Sequence, residues 1–138
     1  MLESNMFQSL KDGKTEETYN ILAVDDETQV TLVLKRFLEQ EGYTVTTSNN
    51  GYEALGMVGN SLPDLVILDI NMPEINGYQV LRKIREEHDI PVIMLSANQE
   101  VSCIDNAIGL GADDYIRKPF HLRELSARVK AKLRRIRK

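Results

Sequence analysis

Short apolar runs that alternate with amphipathic helical patterns are the feature that most constrains the fold of this chain. Five runs have the length and composition of β-strands, namely Asn20–Val24, Thr44–Thr47, Leu65–Leu68, Val92–Leu95 and Asp114–Arg117. Strands that alternate with helices build a parallel sheet covered on both faces. The pattern therefore predicts an α/β fold of five strand–helix units.

Helical periodicity fills the stretches between and after these runs. Residues 28–41 repeat apolar side chains at intervals of three and four, and this helix is predicted to end at Gly42. Asn50 is predicted to cap a second helix, and Gly77 lies at the start of a third. A fourth helix is predicted over residues 100–110, and a basic helix closes the chain. The second strand is relatively polar and suits an edge, so the predicted architecture is a three-layer α/β/α sandwich of flavodoxin type with strand order 2-1-3-4-5.

The composition fits one globular domain, since 42% of the 138 residues are hydrophobic and 28% are charged. No apolar run approaches the roughly 20 residues that a membrane helix needs, and the N-terminus lacks the apolar core of a secretory signal. Cys103 is the single cysteine and cannot form an internal disulfide. These features predict a cytoplasmic location without membrane association. Residues 1–18 are polar and lack periodicity, so we expect a flexible leader before a domain over residues 19–135.

Charge is distributed unevenly along the chain. The net charge is −4, yet residues 121–138 contain eight Lys or Arg and one Glu. Such a basic tail could bind nucleic acid. However, Leu122, Leu125, Val129 and Leu133 recur at helical spacing, so these cations are interpreted as the solvent-facing side of an amphipathic helix. Direct nucleic-acid binding by this chain is therefore not predicted.

Polar residues follow the central strands at the point where each strand ends. Strand 1 is followed by Asp25 and Asp26, strand 3 by Asp69, strand 4 by Ser96 and strand 5 by Lys118. Taken singly, each of these residues could have a structural or surface role only, because Asp and Ser are common in turns and caps and Lys is common on surfaces. In a parallel sheet these ends meet at one rim, so the sequence predicts a pocket that combines three carboxylates, a hydroxyl and an ammonium.

The predicted pocket has the ligands of a hard divalent cation. Three neighbouring carboxylates repel one another and raise one another's pKa, which a cation relieves. Oxygen ligands without His or Cys favour Mg²⁺, with Mn²⁺ as the second choice. Asp26 and Asp69 are the predicted direct ligands, Asp25 is predicted to act through water, and a backbone carbonyl near Asn71 is predicted to supply one more oxygen.

The same pocket suits transfer of a phosphoryl group to a carboxylate. Asp69 is predicted to be the nucleophile, with Mg²⁺, the Lys118 ammonium and the Ser96 hydroxyl each neutralising or binding one phosphoryl oxygen. The product would be an aspartyl phosphate, a mixed anhydride that hydrolyses readily. Such a short-lived species suits a timed signal. Ala97, which follows Ser96, is small and would leave the approach to the pocket open.

Four motifs carry a family resemblance, namely VDDE (24–27), LDINMPEINGYQ (68–79), MLSA (94–97) and GADDYIRKPF (111–120). Together they resemble the receiver domain of two-component response regulators, over roughly residues 19–135. The resemblance implies that Asp69 is the phospho-acceptor, that Asp25 and Asp26 organise Mg²⁺, and that a sensor histidine kinase is the partner. It implies a self-phosphorylating and autodephosphorylating switch rather than a turnover enzyme. Ser96 and Tyr115 match the pair of switch residues, through which phosphorylation would shift a population between two packings.

The motif GADDYIRKPF, together with the stretch ELSARVKAKLRR (124–135) that follows it, further resembles the OmpR/PhoB subfamily, whose receivers are joined to a C-terminal DNA-binding domain. Residues 136–138 would then begin a linker to an output domain that is not part of this chain. The alternative is a stand-alone phosphorelay receiver. The resemblance also implies a homodimer through the fourth helix, fifth strand and last helix, with candidate interface residues Asp113, Asp114, Glu124 and Arg128. Ile104 stands where a lysine is common in that interface, which puts the usual dimer in doubt.

Two rival functions remain open at this point. A phosphatase of the haloacid-dehalogenase type also combines an Asp nucleophile, Ser or Thr, Lys and Mg²⁺, but its D-x-D-x-T motif differs from the D-D-E-T found at residues 25–28. A flavodoxin-like FMN binder would need a phosphate loop where the acidic residues 25–27 lie.

If the chain is a phosphorylation switch, Asn71 and Asn98 flank the pocket and are predicted to admit or orient the water that hydrolyses the phosphoryl group.

Overall fold

The computed structural model describes residues 18–97 and 109–136. Five strands form one parallel sheet: β1 (Asn20–Val24), β2 (Thr44–Ser48), β3 (Leu65–Asp69), β4 (Val92–Ser96) and β5 (Asp114–Arg117). Their order in the sheet is β2-β1-β3-β4-β5, with all neighbours parallel. The predicted order 2-1-3-4-5 is confirmed.

Four helices belong to the described part of the chain: α1 (Thr28–Gln40), α2 (Gly51–Ser61), α3 (Gly77–Glu87) and the C-terminal helix (Leu122–Ile136). The helix predicted over residues 100–110, with the positions of Asn98 and Ile104, lies essentially outside the described residues. Strand ends differ from the sequence prediction by a single residue, so that Asp69 and Ser96 are the last residues of β3 and β4 rather than the first residues beyond them.

Alternating side chains along each strand divide the core into two layers, one on either face of the sheet. Ile21 and Ala23 of β1 pack with α1 and the C-terminal helix, which contribute buried residues such as Leu34 and Val129. The intervening Leu22 packs on the other face, with buried residues of α2 and α3. Because all three central strands are buried on both faces, they read as continuous apolar runs.

The helices begin and end where their local chemistry dictates. The Asn50 side chain accepts a hydrogen bond from the Glu53 N–H at 2.7 Å, which confirms it as the N-cap of α2. Asn76 and Gln79 form a capping box at the start of α3. The end of α1 is followed by Gly42 with φ of +102°, a conformation that glycine adopts without a side-chain clash.

The C-terminal helix is amphipathic, as its spacing predicts. Leu125, Val129 and Leu133 are buried against the sheet, whereas Arg123, Lys130 and Arg134 are exposed. In the described part of the chain, we find no helix with the length and apolar character needed to cross a bilayer.

A close backbone approach fixes the turn after β3. Gly77, the first residue of α3, donates its N–H to the Ile70 carbonyl at 2.8 Å. A Cβ atom at position 77 would collide with the Asp69 carbonyl oxygen and would lie 2.7 Å from the Ile70 Cα. Only glycine therefore lets α3 start directly against the end of the strand that carries Asp69.

We expect Gly77→Ala to lower the free energy of unfolding by about 2 kcal/mol, because the new methyl meets backbone atoms that cannot rotate away. Gly59→Ala is the matched control, since Gly59 lies in α2 and a methyl group added there would have no heavy atom within 4 Å. That control should raise the free energy of unfolding by about 0.5–1 kcal/mol. Urea denaturation followed by circular dichroism measures both changes. Equal stability of Gly77→Ala and the wild type would contradict this account of the turn.

Candidate functional site

The carboxyl ends of the five strands meet at one rim of the sheet, where backbone hydrogen bonds join neighbouring ends. The Asp25 N–H donates to the Ser48 carbonyl at 3.1 Å, so the residues after β1 and at the end of β2 are tied together. On the other side of the sheet, the Lys118 N–H donates to the Ser96 carbonyl at 2.8 Å. Asp69 lies between these pairs, since its register partner on β4 is Leu95.

Asp25 is completely buried at this rim. Its Oδ1 accepts a hydrogen bond from the Glu27 N–H at 2.9 Å, and its Oδ2 accepts one from the Lys118 ammonium at 2.7 Å. A buried carboxylate is tolerated only when its charge is compensated and its oxygens are hydrogen-bonded, and both conditions are met here. The two oxygens of Asp25 are therefore committed to partners within the chain.

One ammonium group joins the residues that lie farthest apart in sequence. Lys118 Nζ lies 2.7 Å from Asp25 Oδ2 and 3.3 Å from Asp69 Oδ1. The Lys118 side chain is only 18% exposed, so it points into the pocket rather than into solvent. The sequence prediction that this lysine and both aspartates share a pocket agrees with this geometry.

Asp26 completes the acidic cluster from the solvent side. Oxygens of Asp25, Asp26 and Asp69 all lie within 4.8 Å of one another, and Asp26 is the exposed member. Within residues 18–97 and 109–136, no hydrogen bond or ion pair to the Asp26 carboxylate is found, so it is available to a ligand from solution.

The pocket carries more negative charge than its lysine balances. Burial and the neighbouring Asp25 carboxylate raise the pKa of Asp69 from its usual 3.8 to about 6, against the opposing effect of Lys118. Burial by itself lowers the pKa of Lys118, but its hydrogen bond to Asp25 and the Asp69 charge outweigh this, so the pKa of Lys118 is raised. Lys118 thus remains a cation at neutral pH.

These residues fit a divalent cation of the Mg²⁺ type. The donor set consists of carboxylate oxygens only, of which those of Asp26 are exposed. The raised pKa of Asp69 shows that additional positive charge would be favourable at this point. Asp26 and Asp69 are the carboxylates best placed to hold such an ion, because both oxygens of Asp25 already have partners within the chain.

The two predicted switch residues are buried on neighbouring strands. Ser96 ends β4 and is fully buried, and it pairs in register with Arg117 of β5. Tyr115 of β5 is 8% exposed and belongs to the core layer that also contains Met94. Both therefore have the position that a link between the pocket and the β5 edge requires, although their roles stay predictions.

Asn71 lies two residues beyond Asp69 and is exposed. Its predicted contributions, a backbone carbonyl for the metal and a side chain beside the hydrolytic water, stay predictions. Asn98, the second residue predicted to act on that water, lies outside the described residues.

The four candidate interface residues all make ion pairs within the chain. Arg128 pairs with Asp114 and, at 3.1 Å, with Glu124, so these three residues form one cluster beside β5. Asp113 lies apart from them and pairs with Arg85 of α3 at 2.9 Å. A dimer that uses these charges would have to share or replace the internal pairs.

An apolar groove borders the acidic pocket. It has a volume of about 550 Å³ and runs between α1 and the start of the C-terminal helix. Lys118 and Ala97 belong to its lining, together with apolar side chains that include Val30, Val33 and Phe120. The pocket therefore opens beside a surface that an apolar partner could cover.

Sequence reasoning missed two side chains that organise this rim and the opposite end of the strands. Asn49 donates its side-chain amide to the Asp25 carbonyl at 2.8 Å. Arg85 donates to the Gly111 and Ile90 carbonyls at 2.9 and 2.7 Å as well as to Asp113. The Asn-Asn-Gly sequence after β2 indicates a turn and a helix cap at Asn50, but it carries no signal that the Asn49 side chain bonds the Asp25 carbonyl.

Comparison with known proteins agrees with this site. The model of the response regulator receiver domain matches residues 21–130. A probable transcriptional regulator, ycf27, of Guillardia theta is 46% identical over 118 residues, which are 86% of this chain and 46% of the relative. The transcriptional regulatory protein CpxR of Escherichia coli K12 is 47% identical over 117 residues, which are 83% of this chain and 49% of the relative.

Solved structures extend the agreement to three dimensions. The crystal structure of a two-component response regulator from Clostridium difficile superposes with a TM-score of 0.84 at 34% identity, covering 88% of this chain and all of the other. The chain spans about half the length of the curated relatives it matches. The match to the response regulator receiver domain argues against both rival functions, because haloacid-dehalogenase phosphatases and flavodoxin-like FMN binders belong to other families. The chain belongs to the response regulator receiver family, and its transcription-regulator relatives agree with the OmpR/PhoB-type resemblance.

Proposed function

We propose that Asp69 is the residue that accepts the phosphoryl group in this receiver domain. The observation that carries the proposal is the Lys118 ammonium, which lies within 3.3 Å of Asp69 and 2.7 Å of Asp25 at the end of the sheet. This arrangement places a cation beside the Asp69 carboxylate, and the exposed Asp26 carboxylate lies in the same cluster, with oxygens of Asp25, Asp26 and Asp69 within 4.8 Å of one another.

In the proposed reaction, an Asp69 oxygen attacks the phosphorus of the donor. A new O–P bond forms as the bond from phosphorus to the donor's leaving atom breaks, and the leaving atom keeps the electron pair and takes up a proton. Lys118 neutralises charge on the phosphoryl oxygens, and it is fixed for that task by its hydrogen bond to buried Asp25. Hydrolysis by water later returns Asp69 to a carboxylate.

Asp26 and Asp69 would hold Mg²⁺, or Mn²⁺ in its place, with Asp25 acting through water. When bound, the ion supplies further positive charge for the phosphoryl oxygens and allows two like charges to approach. The donor set and the raised pKa of Asp69 support this assignment.

The proposed response to phosphorylation runs from Ser96 to Tyr115. The Ser96 hydroxyl would turn toward a phosphoryl oxygen, and the change would pass to Tyr115 through β5, which pairs with β4. The burial of both residues on neighbouring strands supports a shift between two packings rather than a gradual deformation.

The proposed phosphodonor is a sensor histidine kinase. A protein donor has to bring its phosphorylated side chain to the rim, and the apolar groove of about 550 Å³ between α1 and the C-terminal helix lies directly beside Lys118. Val33, which lines the groove, and its neighbour Leu32 are exposed large apolar residues on α1. We further propose a cytoplasmic location, where the single cysteine would stay reduced.

We propose that the output is control of transcription through a DNA-binding region outside this chain. The named transcriptional regulators are about twice as long as the part this chain matches, which supports an additional region beyond the receiver. A homodimer that uses Asp114, Glu124 and Arg128 is the proposed active form, and direct contact of this chain with nucleic acid is not part of the proposal. A stand-alone phosphorelay receiver is the alternative.

The decisive experiment is incubation of the protein with acetyl phosphate and MgCl₂, followed by intact mass spectrometry. We expect one added phosphoryl group, which Asp69→Asn should abolish because its amide is not a nucleophile. Asp64→Asn is the matched control, since Asp64 lies at the opposite end of β3 and bonds the Asn20 N–H. A phosphoryl group retained in Asp69→Asn, or an unmodified wild type, would overturn the assignment.

The raised pKa of Asp69, about 6, predicts a pH-dependent stability of the metal-free protein. A carboxyl group whose pKa is raised on folding stabilises the fold below its unfolded pKa, and this contribution is lost as the pH rises through the folded pKa. Asp69→Asn should therefore raise the free energy of unfolding by about 2 kcal/mol at pH 7.5 and change it little at pH 4. Urea titrations at the two pH values, in the presence of a chelator, measure the difference. A substitution effect that is the same at both pH values would contradict the raised pKa.

Asn71 should govern how long the phosphoryl group survives. It is exposed beside the pocket, so Asn71→Tyr should shield the aspartyl phosphate from water and lengthen its half-life several-fold. Decay of the added mass after removal of acetyl phosphate measures the half-life. Asn71→Ser, which keeps the position small and polar, is the control that should leave the half-life near that of the wild type. An unchanged half-life in Asn71→Tyr would refute a role for this position.

A further inference from the structure

We propose that Asn49 is a positioning residue that fixes the acidic loop Asp25–Asp26 and thereby sets the affinity of the site for Mg²⁺. The inference rests on the proposed function for its metal, but its geometric part stands on contacts within the chain. Asn49 follows β2, and nothing in its sequence context distinguishes it from an ordinary turn residue.

The contact itself has an unambiguous direction. Asn49 Nδ2 lies 2.8 Å from the Asp25 carbonyl oxygen, 24 residues away in sequence. A backbone carbonyl can only accept a hydrogen bond, so the amide nitrogen, and not the amide oxygen, must face it. The same nitrogen lies 3.4 Å from Thr31 Oγ1, which itself donates to the Thr28 carbonyl. Asn49 therefore joins the end of β2 to the acidic loop and to the first turn of α1.

The bond acts on the peptide unit that connects the two acidic residues. The carbonyl of Asp25 and the N–H of Asp26 belong to one rigid plane, so a bond to this carbonyl orients the residue that follows. The preceding unit is held as well, because the Asp25 N–H donates to the Ser48 carbonyl at 3.1 Å. Two consecutive peptide units are thus anchored to the end of β2.

Asp26 depends on this backbone support more than Asp25 does. The Asp25 carboxylate is fixed by Glu27 N–H and Lys118, whereas the exposed Asp26 carboxylate has no bonding partner in the described part of the chain. The direction in which Asp26 presents its oxygen is consequently set by its backbone. Among the described side chains, Asn49 is the one that bonds the peptide leading into Asp26.

Groups that orient metal ligands affect affinity although they do not touch the metal, because a displaced ligand has to be brought back at the expense of binding energy. The expected effect of losing such a group is about a tenfold weaker affinity. Phosphoryl transfer at saturating Mg²⁺ should change much less, because excess metal restores the ordered loop by mass action.

The test compares Asn49→Ala with Asn50→Ala by isothermal titration calorimetry with MgCl₂ alone. Asn50 is a matched control because it is the adjacent residue of the same type, and its side chain caps α2 through the Glu53 N–H instead of bonding the acidic loop. We expect about tenfold weaker Mg²⁺ binding in Asn49→Ala and unchanged binding in Asn50→Ala. Asn49→Ser, whose hydroxyl is too short to replace the amide, serves as a second variant and should behave like Asn49→Ala.

A second readout needs no metal. In the metal-free protein, amide hydrogen exchange at Asp25 and Glu27 should become faster in Asn49→Ala than in Asn50→Ala, because the loop loses its anchor. Unchanged exchange at both amides, or equal Mg²⁺ affinity in the wild type and Asn49→Ala, would overturn the inference. A wild type that fails to bind Mg²⁺ would instead refute the proposed function, and the exchange rates would still decide whether Asn49 positions the loop.

Discussion

The interaction on which the site depends is the bonding of one ammonium group to two buried carboxylates. Asp25 and Asp69 are 0% and 3% exposed, and Lys118 lies within hydrogen-bond or ion-pair distance of both. Charges of this kind are costly to remove from water and persist only when their partners are held in place. The ends of β1, β3 and β5 must therefore stay in register, which makes the sheet a condition for the chemistry. The pairing is also incomplete, because one cation faces three carboxylates, and burial together with the Asp25 charge raises the pKa of Asp69 to about 6 in spite of Lys118.

Much of the fold follows from the sequence because its main determinants are local or periodic. Buried parallel strands appear in the sequence as apolar runs such as Leu65–Leu68. Helices are indicated by the spacing of their apolar residues and by capping residues such as Asn50. The strand ends then identify Asp25, Asp69 and Lys118 as neighbours, because a parallel sheet aligns its carboxyl ends. The identification of the site from sequence thus rests on topology, without any need to predict individual side-chain contacts.

The remaining features could not be predicted, because they depend on the partner that a side chain finds across the fold. Asn49 and Arg85 bond backbone carbonyls 24 and 26 residues away, and no periodicity marks such residues. Asp113 illustrates the same difficulty, since its neighbour Asp114 pairs with Arg128 whereas Asp113 turns to α3. Asp25 and Asp26 are likewise identical in type, and only the structure shows that one is buried and fully bonded while the other faces solvent.

The hydrogen bonds that Arg85 and Asp113 make at the amino ends of β4 and β5 have a mechanical consequence for these strands. Arg85 bonds the carbonyls of Ile90 and Gly111, and its partner Asp113 also accepts the Val92 N–H at 2.8 Å. Both strands are thereby pinned at their amino ends, whereas Ser96 and Lys118 lie at their carboxyl ends, about 15 Å away. Hydrogen bonds concentrated at one end of a strand resist displacement of that end more than displacement of the other. If the proposed switch displaces the carboxyl end of β5, rotation of the strand about its amino end is therefore favoured over translation along β4.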